Sequence, residues 1–191
     1  MPYNLFMRVI AGSAKGRRLF APTGTATRPT SDRVKESLFS ILGDRVPGSA
    51  VLDLYAGSGA LGIEALSRGA SRAVFVDAER AAVEAIGRNV EAAGFSDRTT
   101  ITQAPVETIL RDLADEGARF DLIFLDPPYR IAGAGLEAVV GAAAFRLTDL
   151  GSAVLEHRAN LQLPRFGETV ESYDARRYGD TGLIFFKRRE N

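Results

Sequence analysis

Short strand-like runs, apolar or β-branched, recur along most of the chain, at 50–54, 73–76, 99–102, 122–125 and 153–155. Runs this short, bounded by Gly, Pro, Asp and Ser, read as buried strands. Between them, at 61–67, 78–93, 105–115 and 135–144, the pattern predicts helices. Strand alternating with helix at this spacing predicts an α/β fold: a mostly parallel, Rossmann-like sheet with helices on both faces and right-handed crossovers. Two further strands, around 168–173 and 182–187, follow without a long helix between them. They are expected to pair antiparallel at one edge, which makes seven strands.

The first part of the chain is patterned differently. Residues 7–11 and 18–20 read as short strands around a Gly/Ser/Lys turn, a hairpin. Residues 21–30 hold Pro22, Gly24, Pro29 and four threonines and read as a loop. A helix is expected from Ser31 or Asp32, both good N-caps, with Val34, Leu38 and Leu42 on one face and Ile41 beside them. Pro47 and Gly48 end that unit. The organisation expected is a small hairpin-and-helix extension over 1–46 ahead of an α/β unit over 47–191.

Composition narrows the chemistry. There are no cysteines, which excludes disulfides, thiolate nucleophiles and iron–sulfur clusters. His157 is the sole histidine, so no histidine pair exists and no metal is expected. The apolar run at 138–145 is far short of the roughly 18 residues a membrane helix needs. Residues 1–10 lack the pattern of a secretion signal, so the expected compartment is the cytoplasm. The formal charge of zero hides an asymmetry. Residues 1–50 carry eight Lys/Arg against three acids, and 176–191 carry five against two. Two basic ends folded together make a local patch that net charge does not reveal. Lys15, Arg17 and Arg18 lie beside Gly12 and Gly16, which suggests phosphate contact.

The stretch Val51-Leu-Asp-Leu-Tyr-Ala-Gly57-Ser-Gly59-Ala-Leu-Gly62 runs from a strand through glycines into a helix and satisfies G-x-G-x-x-G. In an open parallel sheet a ligand sits against such a turn. Asp77 ends the next strand, where an acid accepts hydrogen bonds from ribose hydroxyls. Asp53, four residues before Gly57, is unwelcome near a pyrophosphate but suits a cation. S-adenosylmethionine carries an ammonium and a sulfonium and no phosphate, so it fits better than a dinucleotide.

The second informative stretch is Asp126-Pro127-Pro128-Tyr129, which follows an apolar strand. Two prolines fix φ and hold their preceding residues extended. The stiff corner presents the Asp126 carboxylate, the Pro127 carbonyl and the Tyr129 ring together. An exocyclic amine on a nucleobase is a poor nucleophile because its lone pair is delocalised. Two acceptors on its N–H bonds turn that lone pair toward a methyl donor, and an aromatic ring stacks on a base rotated out of its helix. Methyl transfer is then helped chiefly by positioning.

At these motifs the chain resembles the bacterial 16S rRNA guanine-N2 methyltransferases that modify guanine 966 of the small-subunit rRNA. The likeness covers Met7–Gly12, Lys15–Arg17, the run Thr27-Arg28-Pro29-Thr30-Ser31-Asp32-Arg33-Val34-Lys35-Glu36, the glycine turn, the Asp-Pro-Pro-Tyr corner and Tyr178–Thr181. The threonine–arginine run is the family-specific part. The corner alone is shared with adenine-N6 and cytosine-N4 enzymes of DNA or other RNA. Residues before Met7 have no counterpart there, which suggests an alternative start.

The resemblance implies S-adenosylmethionine at Gly57, Gly59 and Asp77, with Asp53, Tyr55, Ser58 and Ala78 around it. Gln103-Ala104 stands where an acid often meets the adenine ring, so the adenine contacts stay open. It implies Asp126, Pro127 and Tyr129 at the target base, and Thr27, Arg28, Asp32 and Arg33 on the substrate side. Arg8, Lys15, Arg17 and Arg18 complete the expected RNA surface. The expected partner is 16S rRNA within a small-subunit particle, with the protein a monomer. The competing readings are an adenine or cytosine methyltransferase, a non-catalytic nucleic-acid-binding module and a nicotinamide-dependent oxidoreductase. His157, after the fifth strand, reads as a structural hydrogen bonder; Tyr173 as a core residue; Phe185 and Phe186 as one facing in and one out.

Overall fold

Val51, Leu52 and Leu54 are all fully buried although strand neighbours point to opposite faces. The strand they form is covered on both sides, and that sets the architecture. In this computed structural model residues 7–23, 31–128 and 130–189 are described. The chain runs through β1 (Met7–Arg8), β2 (Arg18–Leu19), α1 (Asp32–Leu42), β3 (Ala50–Leu54), α2 (Ala60–Ser67), β4 (Arg72–Asp77), α3 (Arg80–Ala93), β5 (Thr99–Gln103), α4 (Val106–Asp115), β6 (Phe120–Leu125), α5 (Ala134–Ala144), β7 (Leu147–Arg158), β8 (Val170–Tyr178) and β9 (Thr181–Arg188).

The seven-stranded sheet has the order β5-β4-β3-β6-β7-β9-β8. The five strands from β5 to β7 are parallel, and β9 and β8 close one edge antiparallel, as the pattern predicts. Strand order reverses at β3, so the ends of β3 and β6 are adjacent at a topological switch point, the place where open α/β sheets bind ligands.

Two cores flank the sheet. On one face α1, α2 and α3 bring Leu38, Phe39, Ile63 and Ile86 against Phe75, Phe124 and Phe185. On the other α4 and α5 bring Leu110, Leu136 and Val140 against Leu52, Leu125 and Phe186. Phe185 and Phe186 therefore alternate as expected but both face inward, because helices cover both sides.

The extension has no core of its own. Met7, Val9 and Leu19 of the hairpin and Val34, Leu38 and Leu42 of α1 belong to the first core. Ser31 caps α1, its hydroxyl accepting from the Val34 N–H at 3.4 Å. Phe39 meets the Phe124 ring edge-on with centroids 5.7 Å apart. Beyond the helix end Arg45 reaches the Tyr173 hydroxyl at 3.3 Å, which lies 2.5 Å from the Ser152 hydroxyl. Ser152 pairs with Leu122, at the start of β6. Helix α1 thus runs antiparallel to β6 and delivers Ser31, Asp32 and Arg33 to the edge where β3 and β6 end.

Several sequence expectations need correction. β7 spans twelve residues, so His157 lies within that strand and not after it. Its first half is hidden from pattern reading by Asp149, Gly151 and Ser152, and Leu150 is 91% exposed. β8 extends to Tyr178 through Asp174, Arg176 and Arg177, charges that an edge strand tolerates. Helix α3 starts at Arg80 because Asp77 Oδ1 accepts the Glu79 N–H at 2.9 Å and holds the turn open. Gly12 serves packing and not phosphate approach: a Cβ there would lie 1.8 Å from the Ser67 carbonyl oxygen. Tyr173 is more than a core residue; its ring lies on Phe185 but is partly exposed. Among the described residues no helix is long and apolar enough to cross a membrane.

Candidate active site

The glycine turn is wired from beneath. Asp77 Oδ2 accepts the Gly57 N–H at 2.8 Å, so the acid at the end of β4 holds the turn that follows β3. Asp53, buried, accepts the Gly62 N–H at 2.9 Å. Gly62 has no room for a side chain, since a Cβ there would lie 2.3 Å from the Phe75 ring. Helix α2 is thereby pressed onto the sheet. Burial, and after it the neighbouring Asp77, raises the Asp53 carboxyl to about 8 despite the Gly62 hydrogen bond. Gly57 is open apart from the Tyr55 carbonyl oxygen, 4.0 Å from a Cβ built there.

Tyr55 begins the turn with φ at 57°, the sole positive φ of a non-glycine among the described residues. The left-handed conformation costs roughly 1–2 kcal/mol for an ordinary side chain. The Tyr55 ring packs against the α4/α5 core, and its hydroxyl lies 3.3 Å from Glu107 Oε1. Burial and then Glu107 push that phenol above its usual range. The Ala104 N–H donates to the Asp77 carbonyl at 3.1 Å, so Gln103 and Ala104 do stand beside Asp77 and the exposed Ala78.

Asp126 lies at the end of β6, its N–H directed at the Leu54 carbonyl at 3.5 Å. Partial burial against the sheet edge, then the charges of Glu156 and Asp53, hold its carboxyl well above the ordinary range. Its outer side is exposed to water. Pro127 is buried behind it. Asp77 and Asp126 therefore flank the ends of β3 and its neighbours, with Asp53 buried beneath the turn between them. Tyr129, Thr27 and Arg28 lie outside the described residues.

The hairpin sits directly on the glycine turn. Ser58 Oγ donates to Met7 Sδ at 3.4 Å. Asn89 in α3, fully buried, accepts the Phe20 N–H at 2.7 Å and donates to the Phe20 and Ser58 carbonyls at 2.9 and 2.8 Å. Glu64 in α2, also fully buried, accepts the Ile10 and Ala11 N–H groups at 2.7 and 3.0 Å and the Arg68 guanidinium at 2.7 Å. Lys35 in α1 donates to the Arg8 carbonyl; burial lowers its affinity for a proton, offset by Glu64 and Asp32. Sequence reasoning passed over Asn89, Glu64 and Lys35 as site supports. A lone acid at Glu64, in a helix apolar on every side, was the available signal.

Arg8 pairs with Asp32 at 2.9 Å, so those two expected RNA residues bind each other. Lys15, Arg17, Arg18 and Arg33 are exposed. The two basic ends meet on α1: the hairpin through Arg8 and Asp32, the C-terminal strands through the hydroxyls of Tyr178 and Ser37. His157 is lowered by burial, bonds the Arg158 carbonyl oxygen through Nδ1 at 2.8 Å, and lies over Gly182, where a Cβ would come within 2.4 Å of the imidazole. A groove of about 670 Å³ lies between α4 and α5, and Glu107 in its lining reaches the Tyr55 hydroxyl. No group of three His, Cys, Asp or Glu fit for a metal ion occurs among the described residues.

A parallel sheet that reverses order at β3, with a glycine turn there and an Asp-Pro-Pro corner on the next strand, defines a methyltransferase fold. Residues 7–187 match the family described as conserved hypothetical protein 95, and the chain belongs to that family. It is 38% identical over 183 residues to the "Putative rRNA methyltransferase YlbH" of Bacillus subtilis, covering 96% of this chain and all of that one. It is 36% identical over 124 residues to ribosomal RNA small subunit methyltransferase D of Escherichia coli, covering 65% of this chain and 61% of that one. Among solved structures, the Thermus thermophilus 16S rRNA N2 G1207 methyltransferase in complex with AdoMet and guanosine superposes with a TM-score of 0.68 at 26% identity, covering 88% of this chain and 45% of that one.

Proposed function

We propose that this chain transfers a methyl group from S-adenosylmethionine to the N2 amine of a guanine in 16S rRNA, of the guanine 966 kind. The observation that carries the reading is the adjacency of the Asp77-held glycine turn and Asp126 at one switch point, ringed by acids. The donor set fits the cofactor. Asp53 already occupies the Gly62 N–H, so that donor near the helix N-terminus is not open to a pyrophosphate, and Asp77 keeps lone pairs for a ribose diol. Small-subunit rRNA as substrate is supported by the names of the relatives, and guanine N2 by that of the Thermus neighbour.

When bound, the cofactor supplies an electrophilic methyl group, its S–C bond breaking as the N–C bond forms. This chain's residues do the rest. Asp126 and the Pro127 carbonyl accept the two N–H bonds of the flipped base, aim its nitrogen lone pair and restrain it against rotation. Tyr129 stacks on that base. The raised proton affinity of Asp126 suits it to take the proton that the methylated nitrogen sheds. Residues 1–46 form the RNA-facing extension of a catalytic unit over 47–191, with Lys15, Arg17, Arg18, Arg28 and Arg33 on phosphates. The substrate is rRNA in a small-subunit particle, the enzyme acts as a monomer in the cytoplasm, and no metal takes part.

The test is transfer of labelled methyl from S-adenosylmethionine to small-subunit particles lacking the modification, followed by nucleoside analysis. N2-methylguanosine is expected. Label found solely in N6-methyladenosine or N4-methylcytidine would reject the guanine assignment.

A further inference from the structure

The acids at the mouth do not end with Asp126. β6 and β7 pair in parallel with Leu125 opposite Leu155. Asp126 and Glu156 each follow that pair by one residue, on strands roughly 4.8 Å apart. Leu125 and Leu155 belong to the α4/α5 core, whereas Phe124 and Val154 belong to the other. Alternation within β7 puts the Glu156 carboxylate on the face of Val154, the face covered by α1, and the register sets Asp126, just past the end of β6, next to it. Glu156 is half-buried, and β9 fixes its backbone on the far side through the pair Glu156↔Leu183. The charge of Glu156 acts directly on Asp126.

We propose that Glu156 is a specificity-determining residue that accepts the N1–H of the target guanine while Asp126 accepts from its N2 amine. The inference rests on the guanine-N2 reading above and deepens it. On guanine the methylated amine stands next to an N–H donor. On adenine and cytosine it stands next to a bare ring nitrogen, which is an acceptor. An ionised carboxylate offers lone pairs and no hydrogen. A second carboxylate beside Asp126 therefore completes the donor edge of guanine and faces a lone pair on the other two bases. A site built to receive a donor rejects an analogue lacking it far more strongly than a shape mismatch does. Asp-Pro-Pro-Tyr alone does not choose among the three bases; a carboxylate at 156 does.

The experiment uses full-length protein and reconstituted small-subunit particles whose rRNA carries either guanine or 2-aminopurine at the mapped target position. 2-Aminopurine keeps the amine but has an unprotonated N1. Wild type is expected to prefer guanine by at least tenfold in kcat/KM. Glu156→Gln places an amide that donates to the bare N1 and still accepts from guanine. It is expected to cut that preference at least tenfold, with cofactor affinity unchanged. A general loosening of the fold would slow both substrates alike. Should Glu156→Gln fail to fold, Glu156→Asp keeps the charge but withdraws it by one methylene, and is expected to slow guanine at least tenfold without helping 2-aminopurine. If N2-methylguanosine forms but the preference is unmoved by Glu156→Gln, or guanine turnover is unmoved by Glu156→Asp, the role of Glu156 is overturned alone. If wild type forms no N2-methylguanosine, the proposed function falls with it.

Discussion

The side-chain amide of Asn89 donates to the carbonyl oxygen of Ser58 at 2.8 Å, inside the glycine turn. The same amide holds both backbone groups of Phe20 in the hairpin. One buried side chain thus ties the N-terminal hairpin to the glycine turn. Asn89→Ala leaves three backbone groups without that partner, a loss of about 2–3 kcal/mol. Denaturant unfolding is expected to show that loss, and calorimetric titration a weaker affinity for S-adenosylmethionine. Unchanged cofactor affinity in the folded variant would show that the tether does not shape the turn.

Gly12 meets the C-terminal end of α2 at a separation that excludes any side chain, with φ at 82°. Gly12→Ala is expected to push the hairpin off α2, where Glu64 and Ser67 otherwise bind its backbone. Hydrogen exchange should rise at Ile10, Ala11 and Ala14 while the sheet stays protected. Equal protection in both proteins would mean that the contact gives way without cost.

Asp53 sets a pH dependence whose sign is fixed by its raised carboxyl. The folded protein keeps that proton up to about pH 8, whereas the unfolded chain releases it near 4. Between those limits the native state binds more protons, so stability of the cofactor-free protein falls as pH rises, by at most about 1.4 kcal/mol per pH unit. Asp53→Asn is expected to flatten this slope between pH 5 and 8. S-adenosylmethionine, a cation, favours the ionised carboxylate, so its binding should release a proton, seen as a buffer-dependent enthalpy that the variant lacks. A slope identical in both proteins would remove Asp53 from the account.

Reversing Arg17 and Arg18 to Glu is expected to weaken particle or rRNA binding and to flatten its dependence on salt, since fewer counterions are released. Filter binding from low to high salt measures both. Wild-type affinity at low salt would mean that RNA docks elsewhere.

What the chain revealed in advance followed from locality. β6 was legible as an apolar run over 122–125, and β3 as one broken only by Asp53, because both their faces are covered. The glycine turn and Asp-Pro-Pro corner were legible because a few consecutive residues make each geometry. β8 and the first half of β7 were not, since exposed and charged residues there form strands only against partners already in place. Lys35 and Asn89 look like surface residues of amphipathic helices; the hairpin buries them, and nothing near them in sequence announces it. Glu156 gains meaning only from the register that sets it beside Asp126.

The measurement that bears most directly on the account is single-turnover methyl transfer to small-subunit particles by Asp126→Ala, with cofactor affinity determined on the same preparation. A carboxylate that orients the amine and takes its proton predicts a rate reduced by about a hundredfold or more, with S-adenosylmethionine bound as tightly as by wild type. A variant that binds cofactor normally and transfers methyl at the wild-type rate would contradict it.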